Sequence, residues 1–248
     1  MSVPLPAEAS VVVVGGGVMG TSIAFHLAEA GVDDVLLLER SDLGSGSTCK
    51  AAGGVRAQFS DPVNIALGLR GLEAFEDFPR RPGQEIDLHQ PGYLFLLSTP
   101  EQVEVYRESV ALQNAMGVPS RMLTPAEAKE LSPAIEIDGV LAAAYHERDG
   151  YCSPESVVLG YASGARRHGA TVRTGVTVTG IDTEGGAITA VRTDQGTVRT
   201  GAVVCAAGAW SAEVGAMAGV DLPVRPLRRQ ILITEPLDQQ AGDAFPSS

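Results

Sequence analysis

Three glycines and one acid carry the clearest chemistry in this chain. Gly15, Gly17 and Gly20 lie in the run Gly15-Gly16-Gly17-Val18-Met19-Gly20, and Glu39 follows Gly20 by 19 residues. Each glycine at this spacing has its own task. Gly15 permits a tight turn, Gly17 lets backbone N–H groups approach a pyrophosphate, and Gly20 lets a helix pack closely on a strand. Val18 and Met19, also candidate cofactor contacts, lead into that helix, whose N-terminus offers partial positive charge to phosphate. The Glu39 carboxylate can accept hydrogen bonds from a ribose diol. The ligand that this pattern selects is a dinucleotide, either NAD or FAD.

Such a site needs a strand before the turn, a helix after it and a second strand ending at the acid. The chain supplies them in that order. Val11-Val12-Val13-Val14 is an apolar run of strand length, and residues 20–30 read as a helix with Ile23 and Leu27 on one face, ended by Gly31. Val35-Leu36-Leu37-Leu38 then ends on Glu39, completing a βαβ unit.

Further along, helix starts are written in the sequence. Asp61-Pro62 joins a cap to a proline at the first helical position, with Ile65, Leu69, Leu72 and Phe75 recurring on one side. Thr99-Pro100-Glu101-Gln102 and Thr124-Pro125-Ala126-Glu127 read as capping boxes, and Ser153-Pro154 caps a helix that ends at Arg166-Arg167-His168 before Gly169. Strands are predicted at Tyr93-Leu94-Phe95-Leu96-Leu97 and over residues 140–145. Residues 171–207 read as a β-meander with turns at Gly185-Gly186 and Asp194-Gln195-Gly196. Its last strand, residues 202–206, is nearly all apolar, as a strand buried on both faces would be.

Composition excludes several classes. The chain has 248 residues, 44% hydrophobic and 19% charged, with 18 basic against 30 acidic side chains and a formal charge of −12. Nucleic acid is not an expected partner of so acidic a chain. No apolar run reaches the ~18 residues of a membrane span, and the start has no basic leader, so a cytoplasmic location is the expectation. Cys49, Cys152 and Cys205 are odd in number and far apart, which suits free thiols in a reducing compartment. His26, His89, His146 and His168 show no metal-ligand spacing, so no metal is expected, and structural roles are expected for them. No G-x-S-x-G elbow supports a hydrolase.

Four separated motifs together resemble the D-amino-acid oxidase superfamily of FAD enzymes, nearest its glycine oxidase and sarcosine oxidase branch. They are residues 15–20 with Glu39-Arg40; the loop Gly44-Ser45-Gly46-Ser47-Thr48-Cys49-Lys50-Ala51-Ala52-Gly53-Gly54-Val55-Arg56; Gly175-Val176-Thr177-Val178-Thr179-Gly180-Ile181; and Val203-Val204-Cys205-Ala206-Ala207-Gly208-Ala209-Trp210-Ser211. The resemblance implies an α/β fold: a Rossmann-like FAD-binding domain of three layers with a β-meander, and an α+β substrate domain with an antiparallel sheet. The expected bounds are 1–82 and 149–218 for the first, and 83–148 and 219–248 for the second. Residues 225–234 are similar to the start of a substrate-domain strand. Relatives have a further C-terminal segment, so the chain, ending at Phe245-Pro246-Ser247-Ser248, is expected to be a fragment.

The resemblance also assigns roles. Gly46, Ser47 and Thr48 are expected beside phosphate or ribityl oxygens, Arg40 and Val176 near the adenine half, and Ala207, Gly208 and Trp210 near the pyrophosphate. Arg56 is the expected partner of a substrate carboxylate. Lys50 stands where dimethylglycine dehydrogenase relatives carry a flavin-linked histidine, so non-covalent FAD is expected, with Lys50 a candidate cation for oxygen reduction. The implied reaction is oxidation of a C–N bond in a small amino acid or N-methyl amino acid by hydride transfer to the flavin. Oxygen or another acceptor would reoxidise the flavin. The same scaffold leaves open a 2-hydroxy-acid or glycerol-phosphate dehydrogenase and a non-catalytic flavoprotein subunit, and a homo- or hetero-oligomer is equally open.

Overall fold

The structure is a computed structural model that describes residues 4–232 and Glu235. In chain order the first elements are β1 (Val11–Val14), α1 (Val18–Glu29), β2 (Val35–Leu38), β3 (Gly54–Val55), α2 (Pro62–Glu76), β4 (Tyr93–Leu97) and α3 (Pro100–Ala115). Then come β5 (Arg121–Leu123), α4 (Pro125–Leu131), β6 (Ala142–His146), β7 (Gly150–Tyr151) and α5 (Pro154–Arg167). Last are β8 (Thr171–Arg173), β9 (Val178–Glu184), β10 (Ala187–Thr193), β11 (Gly196–Arg199), β12 (Val203–Cys205) and α6 (Ser211–Met217). They form two compact units. One takes residues up to Ala52, Phe78–Ile86 and Ser153–Arg229; the other takes Gly53–Asp77 and Asp87–Cys152. Residues 53–77, grouped by sequence with the cofactor domain, cluster here with the second unit.

The first unit is a three-layer α/β body. Its parallel sheet has the order β12-β1-β2-β8, so β1 is bonded on both sides. Alternation along β1 and β2 splits their side chains between two faces. Val12, Val14, Leu36 and Leu38 pack with Ile181, Val191 and Val198 of the antiparallel β9–β11 sheet. Val13 and Leu37, of opposite parity, are equally buried on the other face. There α1 and α5 pack so tightly that a Cβ on Gly164 would come within 2.8 Å of the Phe25 ring. The Gly185-Gly186 turn has φ of 58° and 84°, the left-handed pair that a two-residue hairpin needs.

Two strand expectations change in this unit. Residues 171–173 are not part of the meander; they form β8, a parallel partner of β2, because the α5 crossover returns the chain in the direction of β2. Residues 203–205 form an edge strand of this sheet among the described residues, half-buried with Cys205 exposed, rather than a strand covered on both faces.

The second unit is α+β. Its antiparallel sheet has the order β4-β6-β5, and Leu123, Ala128 and Ala143 form a small core between sheet and α4. The strand expected from residue 140 begins at Ala142. Both capping boxes form as read: Thr99 accepts from Gln102 N and Thr124 from Glu127 N, with the return bonds in place. Asp61 caps α2, which buries Ile65 and Leu72 while Leu69 and Phe75 are half-buried. Residues 225–232 carry no strand and are exposed, and Ile233 and Thr234 lie outside the described residues.

Candidate functional site

In the first unit, β1 ends in a turn that only glycine can make. Gly15 has φ +114°, and a Cβ there would lie 2.4 Å from the Ala206 carbonyl oxygen. A Cβ on Gly20 would lie 1.8 Å from the Gly15 oxygen, so α1 begins directly against the turn. Gly17 differs: its backbone is ordinary, with φ −77°, and a Cβ would meet only the Thr48 hydroxyl, at 3.1 Å. The space beside Gly17 is therefore not needed for packing. No side chain of its own caps α1 from this position.

Neighbouring loops complete this cradle. The Val18 N–H donates to Thr48 Oγ1 at 3.1 Å, which ties the 44–50 loop to the first turn of α1. The Glu39 carboxylate accepts from Gly16 N–H at 2.7 Å and Ser41 N–H at 2.9 Å, one bond on each oxygen. Each carboxylate oxygen has a second lone pair, the capacity a vicinal diol requires. The buried Val176 donates its N–H to the Glu39 carbonyl at 3.0 Å. The Arg40 guanidinium stacks at 4.0 Å from the centroid of Trp210, and Gly46 approaches the same ring. Trp210 is held by a turn in which its N–H donates to Ala207 O and Gly208 takes φ +54°.

The structure thus brings Gly15, Gly17, Val18, Gly20, Glu39, Arg40, Gly46, Thr48, Val176, Ala207, Gly208 and Trp210 into one region. Met19 belongs to the same first helical turn, but its side chain is 63% exposed. Ser47 and Lys50 lie exposed on the same loop, outside these contacts. The arrangement fits a dinucleotide: a helix N-terminus beside a bare glycine with one hydroxyl from a neighbouring loop, a carboxylate fixed by two amides, and a guanidinium stacked on an indole nearby.

The second unit contains a cavity of about 480 Å³ beside β3 and α2. Arg56 supplies the one charged side chain among the described residues that line it, with Phe59, Asn64 and Tyr93. Its guanidinium lies 4.8 Å from the Phe59 ring centroid and 5.3 Å from that of Phe95. Two planar rings leave the in-plane N–H donors of arginine to meet a flat anion such as a carboxylate.

Sequence reasoning passed over a buried polar group in this unit. His146 and Asp149, both without side-chain exposure, bond at 2.7 Å through Nδ1 and Oδ1. Gln58 Nε2 donates to Asp149 Oδ2 at 3.2 Å and to Tyr93 O at 2.9 Å. The available signal was a histidine closing an apolar strand with an acid three residues on, just before Gly150. His89 instead stacks on Tyr151 and pairs with Asp87 at the surface. Burial raises the Cys49 thiol pKa and pushes Cys152 up to about 11, so neither is a poised thiolate. Among the described residues no cluster of His, Cys, Asp and Glu could hold a metal ion, and no helix is long and apolar enough to cross a membrane.

Known proteins share this arrangement of elements. Over 243 residues the chain is 35% identical to mitochondrial dimethylglycine dehydrogenase of Rattus norvegicus, covering 96% of this chain and 28% of that protein. The L-proline dehydrogenase structure from P. horikoshii superposes with a TM-score of 0.83 at 36% identity, over 87% of this chain and 57% of that one. Glycine oxidase from Geobacillus kaustophilus gives a TM-score of 0.77 at 29% identity, over 88% of this chain and 60% of that one. The chain therefore spans from just over a quarter to about three fifths of the length of these proteins. A family model described as DAO, FAD dependent oxidoreductase, matches residues 10–248, and the chain belongs to that family.

Proposed function

We propose that the whole protein oxidises a C–N bond of a small amino acid or N-methyl amino acid, using non-covalently held FAD. The first unit holds the dinucleotide: the amides at the start of α1 meet its pyrophosphate, and Glu39 meets its adenosine ribose. The Arg40–Trp210 stack and Val176 flank the adenosine, while Ser47, Thr48 and Lys50 line the loop on the flavin side. FAD, when bound, supplies the hydride acceptor. The second unit holds the substrate carboxylate through Arg56 and shapes an apolar surround with Phe59 and Tyr93. No strong general base is required, because the amine binds in its neutral form and the imine product leaves and is hydrolysed by water. Binding energy at the carboxylate then serves orientation.

The observation that carries the amino-acid reading is Arg56, a lone guanidinium presented by two aromatic rings into a cavity sized for a small ligand. Relatives whose names specify dimethylglycine, L-proline and glycine support the same class. Oxygen or another acceptor completes the cycle, and a relative named as the beta subunit of sarcosine oxidase supports a hetero-oligomer. The three unpaired thiols support a reducing compartment such as the cytoplasm.

The test is direct. FAD-loaded protein is mixed anaerobically with sarcosine, glycine, L-proline and D-alanine, and bleaching of the ~450 nm flavin band is followed. Bleaching by one or more of them is expected, and Arg56→Gln should raise the half-saturating concentration about 10- to 150-fold, the loss of a charge-assisted pair. Bleaching by a 2-hydroxy acid alone would overturn the amine reading. Bound FAD that no donor reduces would favour a non-catalytic subunit. Denaturation should release the flavin into the supernatant.

A further inference from the structure

The second unit buries an ionisable pair next to the residues that follow Arg56. His146 closes β6 and Asp149 lies in the turn to β7, and neither has exposed side-chain surface. A carboxylate in that position is costly unless donors surround it. Asp149 has three: Ala57 N–H at 2.8 Å and His146 Nδ1–H at 2.7 Å on Oδ1, and Gln58 Nε2–H at 3.2 Å on Oδ2. Two of these come from the residues immediately after Arg56, across 92 and 91 positions of sequence.

Every other neighbour of Arg56 is also held. Val55 pairs with Gly150, and Phe59 O accepts from the buried Gln113 Nε2 at 2.8 Å. Gly68 of α2 closes over the stretch, where a Cβ would lie 2.7 Å from Arg56 O. On the outer side, Arg148 bonds Glu76 at the end of α2 at 2.7 Å, and Gln90 Nε2 donates to Arg148 O at 2.7 Å. The β6–β7 turn thus braces both ends of the segment that carries Arg56.

This brace is not the arrangement that stability alone favours. His146 Nε2 and Gln58 Oε1 are buried without a hydrogen-bond partner, so the cluster carries a desolvation cost that its own bonds repay only in part. What a hydrogen-bonded clamp adds is direction: the bond to Ala57 N–H fixes the backbone there and the bond to Gln58 Nε2 fixes that side chain, each in a single orientation, which apolar packing does not. We infer that Asp149, oriented by His146, is a positioning residue, clamping the Ala57 N–H and the Gln58 side chain so that the Arg56 guanidinium stands between Phe59 and Phe95 at the point where a ligand carboxylate binds. The inference rests on the proposed role of Arg56 as the carboxylate-binding group.

The experiment measures binding by calorimetry to the FAD-loaded full chain. Its probe is methoxyacetate, a sarcosine isostere whose ether oxygen cannot be oxidised as the amine is; 2-methoxyethanol, with a hydroxymethyl group for the carboxylate, is the control. Arg56→Gln and Asp149→Asn should each weaken methoxyacetate about 10-fold or more, the scale of one charge-assisted contact. The double variant should be no more than about twofold weaker than Arg56→Gln alone, since Asp149 acts through Arg56. All variants should bind 2-methoxyethanol within about twofold of the parent. His146→Asn, whose amide nitrogen takes the place of Nδ1, should stay within about threefold of the parent, whereas His146→Leu should share the Asp149→Asn loss. If Asp149→Asn does not fold, the two His146 variants carry the same comparison. Unchanged affinity in Asp149→Asn and His146→Leu, or full additivity with Arg56→Gln, overturns the positioning role. Unchanged affinity in Arg56→Gln, or no binding to the parent, overturns the carboxylate site itself.

Discussion

A single methyl group placed at Gly17 separates cofactor binding from folding. Gly17→Ala meets no strain from φ of −77° and finds only Thr48 Oγ1 at 3.1 Å, a hydroxyl that can yield by a few tenths of an ångström. The cost to the fold is the weaker helix N-cap of alanine relative to glycine, about 1 kcal/mol or less. For a chain of this length that lowers Tm by about 2–4 °C. The cost to FAD is larger, because the methyl occupies the space through which phosphate oxygens reach the amides of α1. Losing one charge-assisted hydrogen bond costs about 1.5–3 kcal/mol, and weakening the helix-terminus interaction adds about 0.3–1 kcal/mol. Together, about 2–4 kcal/mol corresponds to a 30- to 1,000-fold rise in Kd. The assay is a titration with FAD followed by flavin fluorescence, paired with thermal melting of the flavin-free protein. Gly20→Ala is the contrast: a Cβ placed 1.8 Å from the Gly15 oxygen must displace α1, so flavin-free protein should already be unstable. An FAD affinity for Gly17→Ala within about threefold of the parent would refute the argument. So would a fall in flavin-free Tm as large as that of Gly20→Ala.

Three further outcomes are expected. Ile65→Ala, at a fully buried site on α2, should destabilise by about 2–5 kcal/mol in urea unfolding, and a value below about 1 kcal/mol would show that α2 does not depend on that contact. Hydrogen bonds from Arg148 hold the Glu76 carboxyl below its ordinary value of 4.5. Its contribution is therefore present above pH 4.5 and is lost as pH falls through the depressed value, so Glu76→Gln should flatten the acid-side fall in stability. Urea midpoints at about pH 6 and pH 3.5 that drop in parallel for parent and variant would contradict this. Cys152, with its pKa near 11, should resist a thiol reagent at pH 8 while exposed Cys205 reacts, as mass spectrometry of labelled peptides will read.

Local chemistry was legible without the fold. Thr99, Thr124, Asp61 and Ser153 cap their helices through bonds spanning three residues, so the participants stand side by side in the sequence. The βαβ unit was equally readable, because the bare Cα positions of Gly15 and Gly20 answer to a turn only a few residues long. The cradle was assembled from motifs far apart in sequence through family resemblance, and the contacts of Thr48 with Val18 and of Arg40 with Trp210 give it geometry. Strand partners were harder. An apolar strand reads the same at the centre or the edge of a sheet, which is why β8 pairs outside the expected meander and β12, alongside β1, is not covered on both faces.

By itself, then, the sequence determined what short-range forces decide: which segments are helix or turn, where they begin, and that the backbone beside Gly17 is left bare. The tertiary structure alone decided which distant residues share a hydrogen bond. Asp149 meets Ala57 across 92 positions and Gln58 across 91, and no periodicity or local spacing encodes that meeting. It follows from the pairing of β3 with β7 and of β4 with β6, which sets those backbones side by side. Burial then makes the bond matter: in a water-excluded interior an unpaired carboxylate is too costly to persist, so the partners that the fold delivers become the ones that hold Arg56 in place.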